Sequence, residues 1–127
     1  NLSYSLRSKT DTLDSDVYIV DTLGELSSLY KYGDVIFVGG TFSKVGGHNI
    51  FEPILTGKKV IIGKNYFKIK DLVLQAEKMG AVVVVEDQNQ LKNAILDLLK
   101  DSELNVDIEQ IKTDIYNCYK KELEKWI

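Results

Sequence analysis

Short apolar runs that alternate with amphipathic segments limit the possible folds of this chain more than any other feature. The runs occupy residues 17–20, 35–38, 60–62 and 82–85, and each precedes a segment with apolar residues at helical spacing. Continuous apolar runs of this length are typical of strands buried on both faces of a parallel sheet. We therefore predict an α/β fold of the Rossmann-like, three-layer α/β/α kind, in which ligands bind beyond the carboxyl ends of the strands.

Five helices are predicted between and after these strands, over residues 24–32, 50–57, 68–79, 87–100 and 102–126. Thr22 and Glu25 have capping-box spacing, Asp87 is a candidate N-cap and Gly80 suits a left-handed C-cap. Residues 2–7 alternate loosely, which indicates one more strand. The helix residues expected to be buried are Leu26, Leu29, Tyr30, Ile69, Leu72, Val73, Ala76, Leu91, Ala94, Ile95, Leu98, Leu99, Leu104, Ile108, Ile111, Ile115, Tyr119 and Trp126.

Composition excludes several classes of protein. The 127 residues fit a single domain, 1–127, with 102–127 as a C-terminal amphipathic helix. The net charge of −3 without any block of like charge argues against a nucleic-acid partner. Cys118 is the only cysteine, so no internal disulfide forms, and we interpret it as an inert helix residue rather than a reactive thiol. No apolar run approaches the ~18 residues of a membrane span. The start at Asn1 suggests an excised piece of a longer protein.

A glycine-rich loop after the second apolar run is the candidate binding site. It contains Gly39-Gly40 and Gly46-Gly47 and leads into a predicted helix start. Glycine lets a backbone approach a ligand closely, and amides at a helix start attract anions, so we expect a phosphate here. We favour a ligand contact for His48, the only histidine, over a structural role.

Two further polar residues of this loop have open interpretations. Asn49 is either an N-cap or a ligand contact. Glu52 lies in the first helical turn, where the dipole alone stabilises a carboxylate. Its functional alternative is to accept hydrogen bonds from a pair of ribose hydroxyls.

Other chemistries lack their signatures. There is neither a G-x-G-x-x-G nor a G-x-x-x-x-G-K-[ST] motif, and no G-x-S-x-G elbow. One histidine and one cysteine without clustering do not predict a metal site. The loops 21–25, 39–52, 63–67 and 86–87 follow strands, and we expect them to share one rim of the sheet.

These residues resemble a known family, the bacterial 3-deoxy-D-manno-octulosonic acid (Kdo) transferases, in its C-terminal half. The resemblance covers about residues 3 to 100, whereas the last helix matches only in type. It rests on Arg7-Ser8, Asp21-Thr22-Leu23-Gly24-Glu25-Leu26, Leu29-Tyr30, Asp34, Phe37-Val38-Gly39-Gly40, Gly46-Gly47-His48-Asn49 with Glu52-Pro53, and Gly63 with Phe67 and Asp71.

The resemblance implies the donor-binding domain of a GT-B glycosyltransferase, N-terminally truncated. The full enzyme would transfer Kdo from CMP-Kdo to a lipid A precursor, with inversion, at the cytoplasmic face of the inner membrane. We separately expect no cofactor and no metal. The catalytic base and the acceptor groove would lie in the missing N-terminal domain.

The resemblance also implies roles for particular residues. Gly46, Gly47, His48 and Asn49 would meet the phosphate and the sugar carboxylate, and Glu52 the ribose. Thr22, Gly24 and Glu25 would lie on the cytidine side, and Gly39-Gly40 would keep the strand end clear for the sugar.

Two departures and one alternative accompany this resemblance. Lys64-Asn65-Tyr66 stand where the family often has Pro-His-Thr, and the family's donor domain begins well before Asn1. We predict that the fragment is inactive alone, because the transfer needs both domains to bring donor and acceptor together. Loss of leading strands exposes a sheet edge, so we also predict that the fragment self-associates. The alternative function is a non-enzymatic α/β ligand-binding or signalling module. A receiver-like module would need an aspartate where Gly39 ends the central strand.

Overall fold

The computed structural model describes residues 1–102, 104 and 107–124, without the side chains of residues 115, 118, 119, 122 and 123. Strands and helices alternate along most of this range, and every strand pairing is parallel. The elements are β1 (Tyr4–Leu6), β2 (Val17–Ile19), α1 (Leu26–Leu29), a 3₁₀ turn (Tyr30–Tyr32), β3 (Ile36–Phe37), α2 (Phe51–Ile54), β4 (Val60–Gly63), a 3₁₀ turn (Phe67–Ile69), α3 (Lys70–Lys78), β5 (Val82–Val85), α4 (Gln88–Lys100) and α5 (Ile108–Glu124).

The central sheet has the order β3-β4-β5. Val60 of β4 is in register with Ile36 of β3 and with Val82 of β5. Because side chains alternate across a strand, Val60 and Ile62 face one side of the sheet and Ile61 faces the other. All three are fully buried, so β4 is the centre of the core.

Helices cover both faces of this sheet, which confirms the predicted three layers. On one face Val60 and Ile62 pack with side chains from α2, α3 and α5, including Phe51, Val73 and Ile111. On the other face Ile61 and Val85 pack with α4. Ligand-binding loops of such a fold emerge at the carboxyl ends of its strands.

The first two strands form a separate sheet, which corrects the expectation of one continuous sheet. Among the described residues, β1 and β2 pair only with each other, and Ser3 donates from its backbone amide to the Asp16 carboxylate at 2.9 Å. Their apolar side chains remain largely exposed, with Tyr4 70% and Ile19 44% exposed. The two-stranded sheet is thus held by hydrogen bonds, and its strands contribute no residue to the described core clusters.

The predicted helix 24–32 is wrong in length and in burial. It consists of the four-residue α1 and a 3₁₀ turn, and Leu26 and Leu29 are 53% and 38% exposed. No capping box forms, because the Thr22 hydroxyl donates to the Glu25 carboxylate instead of accepting from a backbone amide. Tyr30 is the part of the prediction that packs against the core.

The later helices agree better with the sequence pattern. Asp87 caps α4 by accepting from the Gln90 amide at 2.8 Å, and Gly80 has a φ of +67° after α3, as predicted. Val73, Ala76, Ala94 and Leu98 are buried, and Ile69, Leu72, Leu91 and Ile95 are partly buried. The prediction that Leu99 is buried is wrong, because its side chain is 57% exposed at the end of α4.

The last helix begins at Ile108 rather than at residue 102, because Asp107 accepts from the Glu109 amide and so starts it. Ile111 is 1% exposed against the main core, with Leu104 and Ile108 beside it. The side chains of Ile115, Cys118 and Tyr119, and the whole of Trp126, lie outside the described residues. In the described part of the chain, no helix has the length and apolar character needed to cross a membrane.

Candidate functional site

Three of the four predicted loops lie at one edge of the central sheet. They follow β3, β4 and β5, which are parallel and in register, so their carboxyl ends point the same way. The fourth loop, 21–25, follows β2 of the other sheet. The candidate site therefore has two parts. One is a glycine loop, residues 39–50, with the adjacent loops of the rim, and the other is a separate cluster around Glu25.

The glycine loop is closed by its own backbone. The carbonyl of Gly40 accepts hydrogen bonds from the amides of Gly46 and Gly47, both at 3.1 Å. All three glycines have φ between +82° and +107°, a region that other residues rarely adopt. Two amides that the sequence offered to an anion are thus used inside the loop. Those of His48 and Asn49 have no acceptor among the described residues.

Thr41 links the glycine loop to the loop that follows β4 through hydrogen bonds. Its side chain is fully buried, and its hydroxyl accepts from the Gly63 amide at 2.6 Å. Its carbonyl accepts from the Asn65 amide at 2.8 Å, and the Gly46 carbonyl accepts from the Lys68 amide at 3.1 Å. These bonds join the two loops into one rim.

Close packing explains two of the glycines without any ligand. A Cβ on Gly46 would lie 2.7 Å from Cζ of Phe67, and one on Gly47 would lie 2.8 Å from Cδ1 of Ile69. Both distances are too short for carbon atoms in contact. A side chain at either position would have to displace the ends of Phe67 and Ile69, and the positive φ of both residues favours glycine with or without a ligand.

His48 lies at the exposed side of the glycine loop. Its ring packs against Gly40, where a Cβ would lie 2.8 Å from both Cδ2 and Nε2. Gly40 thus leaves room for the imidazole, which is exposed and free of protein hydrogen bonds in the described residues. A Cβ on Gly39 would meet no atom within 4 Å, so the strand end beside it is open.

Asn49 precedes the helix that follows the loop, and Glu52 lies in its first turn. The Asn49 side chain accepts from the Phe51 amide at 2.9 Å, which favours its capping interpretation. The predicted helix 50–57 is only the single turn α2, so its dipole is weaker than the sequence suggested. The exposed Glu52 carboxylate faces Tyr30, and the pKa of Tyr30 is raised by burial and by this negative charge.

Thr22, Gly24 and Glu25 form a second cluster with Arg7. The Glu25 carboxylate accepts from Arg7 Nη2 at 3.0 Å and from the Thr22 hydroxyl. These bonds lower the pKa of Glu25, the Thr22 bond most, and the Glu25 bond raises the pKa of Arg7. Glu25 is thus committed to protein partners, whereas Gly24 is exposed with φ +80°.

The two groups of predicted site residues are not bonded to each other. No hydrogen bond or ion pair between described residues joins residues 22–25 to residues 39–52. A cleft of about 330 Å³ instead adjoins the Glu25 cluster. It is lined by Arg7, Asp11, Leu13, Tyr18, Glu25, Ser28 and Leu29.

Sequence reasoning missed two lysines of the rim. Lys64 and Lys70 border a second cleft, of about 300 Å³, in the loop between β4 and α3. The available signal was the position of Lys64 directly after a buried strand. Thr41 was missed as well, because nothing in the sequence marks a buried threonine inside a glycine-rich loop.

Relatives of known name cover most of the chain. It is 35% identical over 117 residues to the 3-deoxy-D-manno-octulosonic acid transferase of Aquifex aeolicus, which is 92% of this chain and 33% of that protein. The transferase of Chlamydophila psittaci is 40% identical over 72% of this chain and 22% of that protein. A bifunctional glycosyltransferase/methyltransferase of Fusobacterium nucleatum is 32% identical over 96% of this chain and 20% of that protein. The chain thus spans between a fifth and a third of these relatives.

A solved structure shares the fold. The C-terminal CMP-Kdo binding domain of WaaA from Acinetobacter baumannii superimposes with a TM-score of 0.73 at 32% identity. The match covers 80% of this chain and 54% of that one. No family model matches the sequence. The resemblance inferred from the motifs, and the α/β fold of GT-B type, are confirmed by these similarities.

Proposed function

Since the chain is a homologue of the Kdo transferases in sequence and in fold, we propose that it forms the donor side of a glycosyltransferase that takes Kdo from CMP-Kdo. The observation that supports this most is the likeness to a domain described as binding CMP-Kdo. The acceptor would be a lipid A precursor at the cytoplasmic face of the inner membrane. The catalytic base and the acceptor groove would lie outside these 127 residues.

The glycine loop would hold the phosphate of the donor. The backbone amides of His48 and Asn49 are available to it, and the exposed His48 imidazole adds a third donor. Gly46 and Gly47 act indirectly in this proposal, because their amides shape the loop around the Gly40 carbonyl. Gly39 leaves the strand end open for the sugar.

The nucleoside would extend from this loop in two directions. Glu52 is exposed one turn after the loop and can accept from both ribose hydroxyls. Residues 22–25 would flank the cytidine through their backbone and Gly24, because the Glu25 carboxylate is already bonded to Arg7 and Thr22. Ordering the donor in this way reduces the entropy cost of the transfer step.

A titration of the isotope-labelled chain with CMP and with UDP tests this function. We expect CMP to shift amides of residues 39–52 more than UDP does. His48→Ala should weaken CMP binding, whereas Asn93→Ala on the exposed side of α4 is the matched control. If neither nucleotide shifts these amides, the donor-site proposal is wrong for this chain.

A further inference from the structure

Positive charge is concentrated in the loops after β3 and β4, although the whole chain carries −3. Residues 39–70 contain six lysines and a single acid, Glu52. Two of these lysines, Lys58 and Lys59, stand at the amino end of β4, away from the rim. The other four are all exposed, and none forms an ion pair within the described residues: Lys44, Lys64, Lys68 and Lys70.

Two of these free ammonium groups share a cleft. Lys64 and Lys70 line it together with Asn65, Tyr66 and Phe67, and its volume is about 300 Å³. Exposed lysines normally point into bulk water, so a concave site with two unpaired ammonium groups and polar neighbours is suited to an anion of small-molecule size.

The cleft has a fixed position relative to the glycine loop. The Asn65 amide bonds to the Thr41 carbonyl at 2.8 Å, and the Lys68 amide bonds to the Gly46 carbonyl at 3.1 Å. Phe67, one wall of the cleft, also packs against Gly46. The glycine loop and the cleft therefore lie side by side on the rim, with Phe67 between Gly46 and the cleft.

Two amides of the glycine loop are not available to an anionic group. Those of Gly46 and Gly47 are occupied by the Gly40 carbonyl, whereas the amides of His48 and Asn49 have no acceptor among the described residues. The proposed donor carries two anionic groups, the phosphate of CMP and the carboxylate of the sugar acid. Two separate groups of donors on the rim, the glycine loop and the cleft, match these two anionic groups.

Resting on the proposed function, we infer that Lys64 and Lys70 bind the carboxylate of the sugar acid, while the glycine loop binds the phosphate. The cleft would thereby select a donor with an acidic sugar. An uncharged sugar in the same place would leave two ammonium groups beside it without a partner, which disfavours its binding.

Calorimetric titration of the 127-residue chain with CMP and with CMP-Kdo tests this inference, because only CMP-Kdo carries the carboxylate. We expect Lys64→Ala and Lys70→Ala each to weaken CMP-Kdo binding about tenfold, as for loss of a hydrogen bond to a charged group, and to change CMP binding less than about twofold. Lys64→Arg should restore most of the affinity. Lys92→Ala on α4 is the matched control and should change neither.

Two results would overturn the inference and leave the donor site intact. One is equal weakening of CMP and CMP-Kdo by Lys64→Ala, which would mean that the lysines act on the phosphate. The other is normal CMP-Kdo binding by both alanine variants. If the unmodified chain does not bind CMP, the proposed function itself fails, and this inference fails with it.

Discussion

The hydroxyl of Thr41 accepts a hydrogen bond from the backbone amide of Gly63 at 2.6 Å, in a part of the rim that excludes water. This bond joins the loop after β3 to the end of β4. Because both atoms are buried, the loss of either partner leaves the other without water to replace it. Together with the Asn65–Thr41 and Lys68–Gly46 backbone bonds, it holds the glycine loop beside the cleft that Lys64 and Lys70 line.

We expect Thr41→Val to destabilise the protein by about 1–3 kcal/mol, because the Gly63 amide loses its acceptor while the side-chain volume stays the same. Urea unfolding measures the loss, and amide hydrogen exchange should show faster exchange at Gly63. Thr41→Ser is the matched control, since it keeps the hydroxyl and should keep Gly63 protected. Unchanged exchange at Gly63 in the valine variant would contradict the bond.

Gly63→Ala should also be destabilising, for a steric reason. Its Cβ would lie 2.7 Å from the Thr41 carbonyl oxygen, and a backbone atom cannot move aside as the end of a side chain can. Forcing an extra carbon into a packed site costs about 1–3 kcal/mol. Gly39→Ala is the control, because its Cβ would meet nothing within 4 Å and its φ is not positive. Thermal unfolding of both variants should separate them.

The central sheet and the helices after it could be predicted because packing requires apolar residues at regular positions in them. Val60, Ile61 and Ile62 are all apolar since both faces of β4 are covered, and Val73 and Ala76 recur at helical spacing since one side of α3 is buried. The Asp87 cap is a local interaction three residues long. Such short-range patterns can be recognised from the sequence alone.

The N-terminal part was predicted less well because its structure depends on polar, long-range partners. Thr22 and Glu25 have capping-box spacing, yet Arg7, which directly follows β1, also binds the Glu25 carboxylate. The site could be located from Gly39-Gly40 and the glycine pair that follows it. Which amides remain free could not, because that follows from the Gly40 carbonyl turning inward.

Acid should loosen the junction between β1 and the loop after β2 through Asp21. The Asp21 carboxylate accepts from the Ser8 hydroxyl at 2.6 Å and from the Ser8 amide at 2.9 Å, and these bonds lower the pKa of Asp21. A group with a lowered folded pKa stabilises the fold above its unfolded pKa, about 3.9, and loses that effect as the pH falls through the folded value.

Amide exchange at Ser8, followed from about pH 6 to about pH 2, checks this expectation after correction for the intrinsic pH dependence of exchange. Protection of Ser8 should fall below about pH 4. In Asp21→Asn the same amide should show no such change, because the amide side chain does not titrate in this range. A fall in protection of equal size in both proteins would assign the effect to other carboxylates.

We expect the chain to self-associate through the β1–β2 sheet. The side chains of Leu2, Leu13 and Leu23 are 76%, 72% and 101% exposed, and each strand of the β1–β2 sheet has an edge that no other described strand pairs with. Exposed apolar groups beside free strand edges favour pairing between chains.

Light scattering should therefore give a mass above the 14.4 kDa of one chain, rising with concentration. Ile19→Lys should lower that mass, because a charge on β2 disfavours edge pairing, whereas Leu96→Lys on α4, with 49% exposure, should not. A mass of one chain at every concentration would refute the expectation.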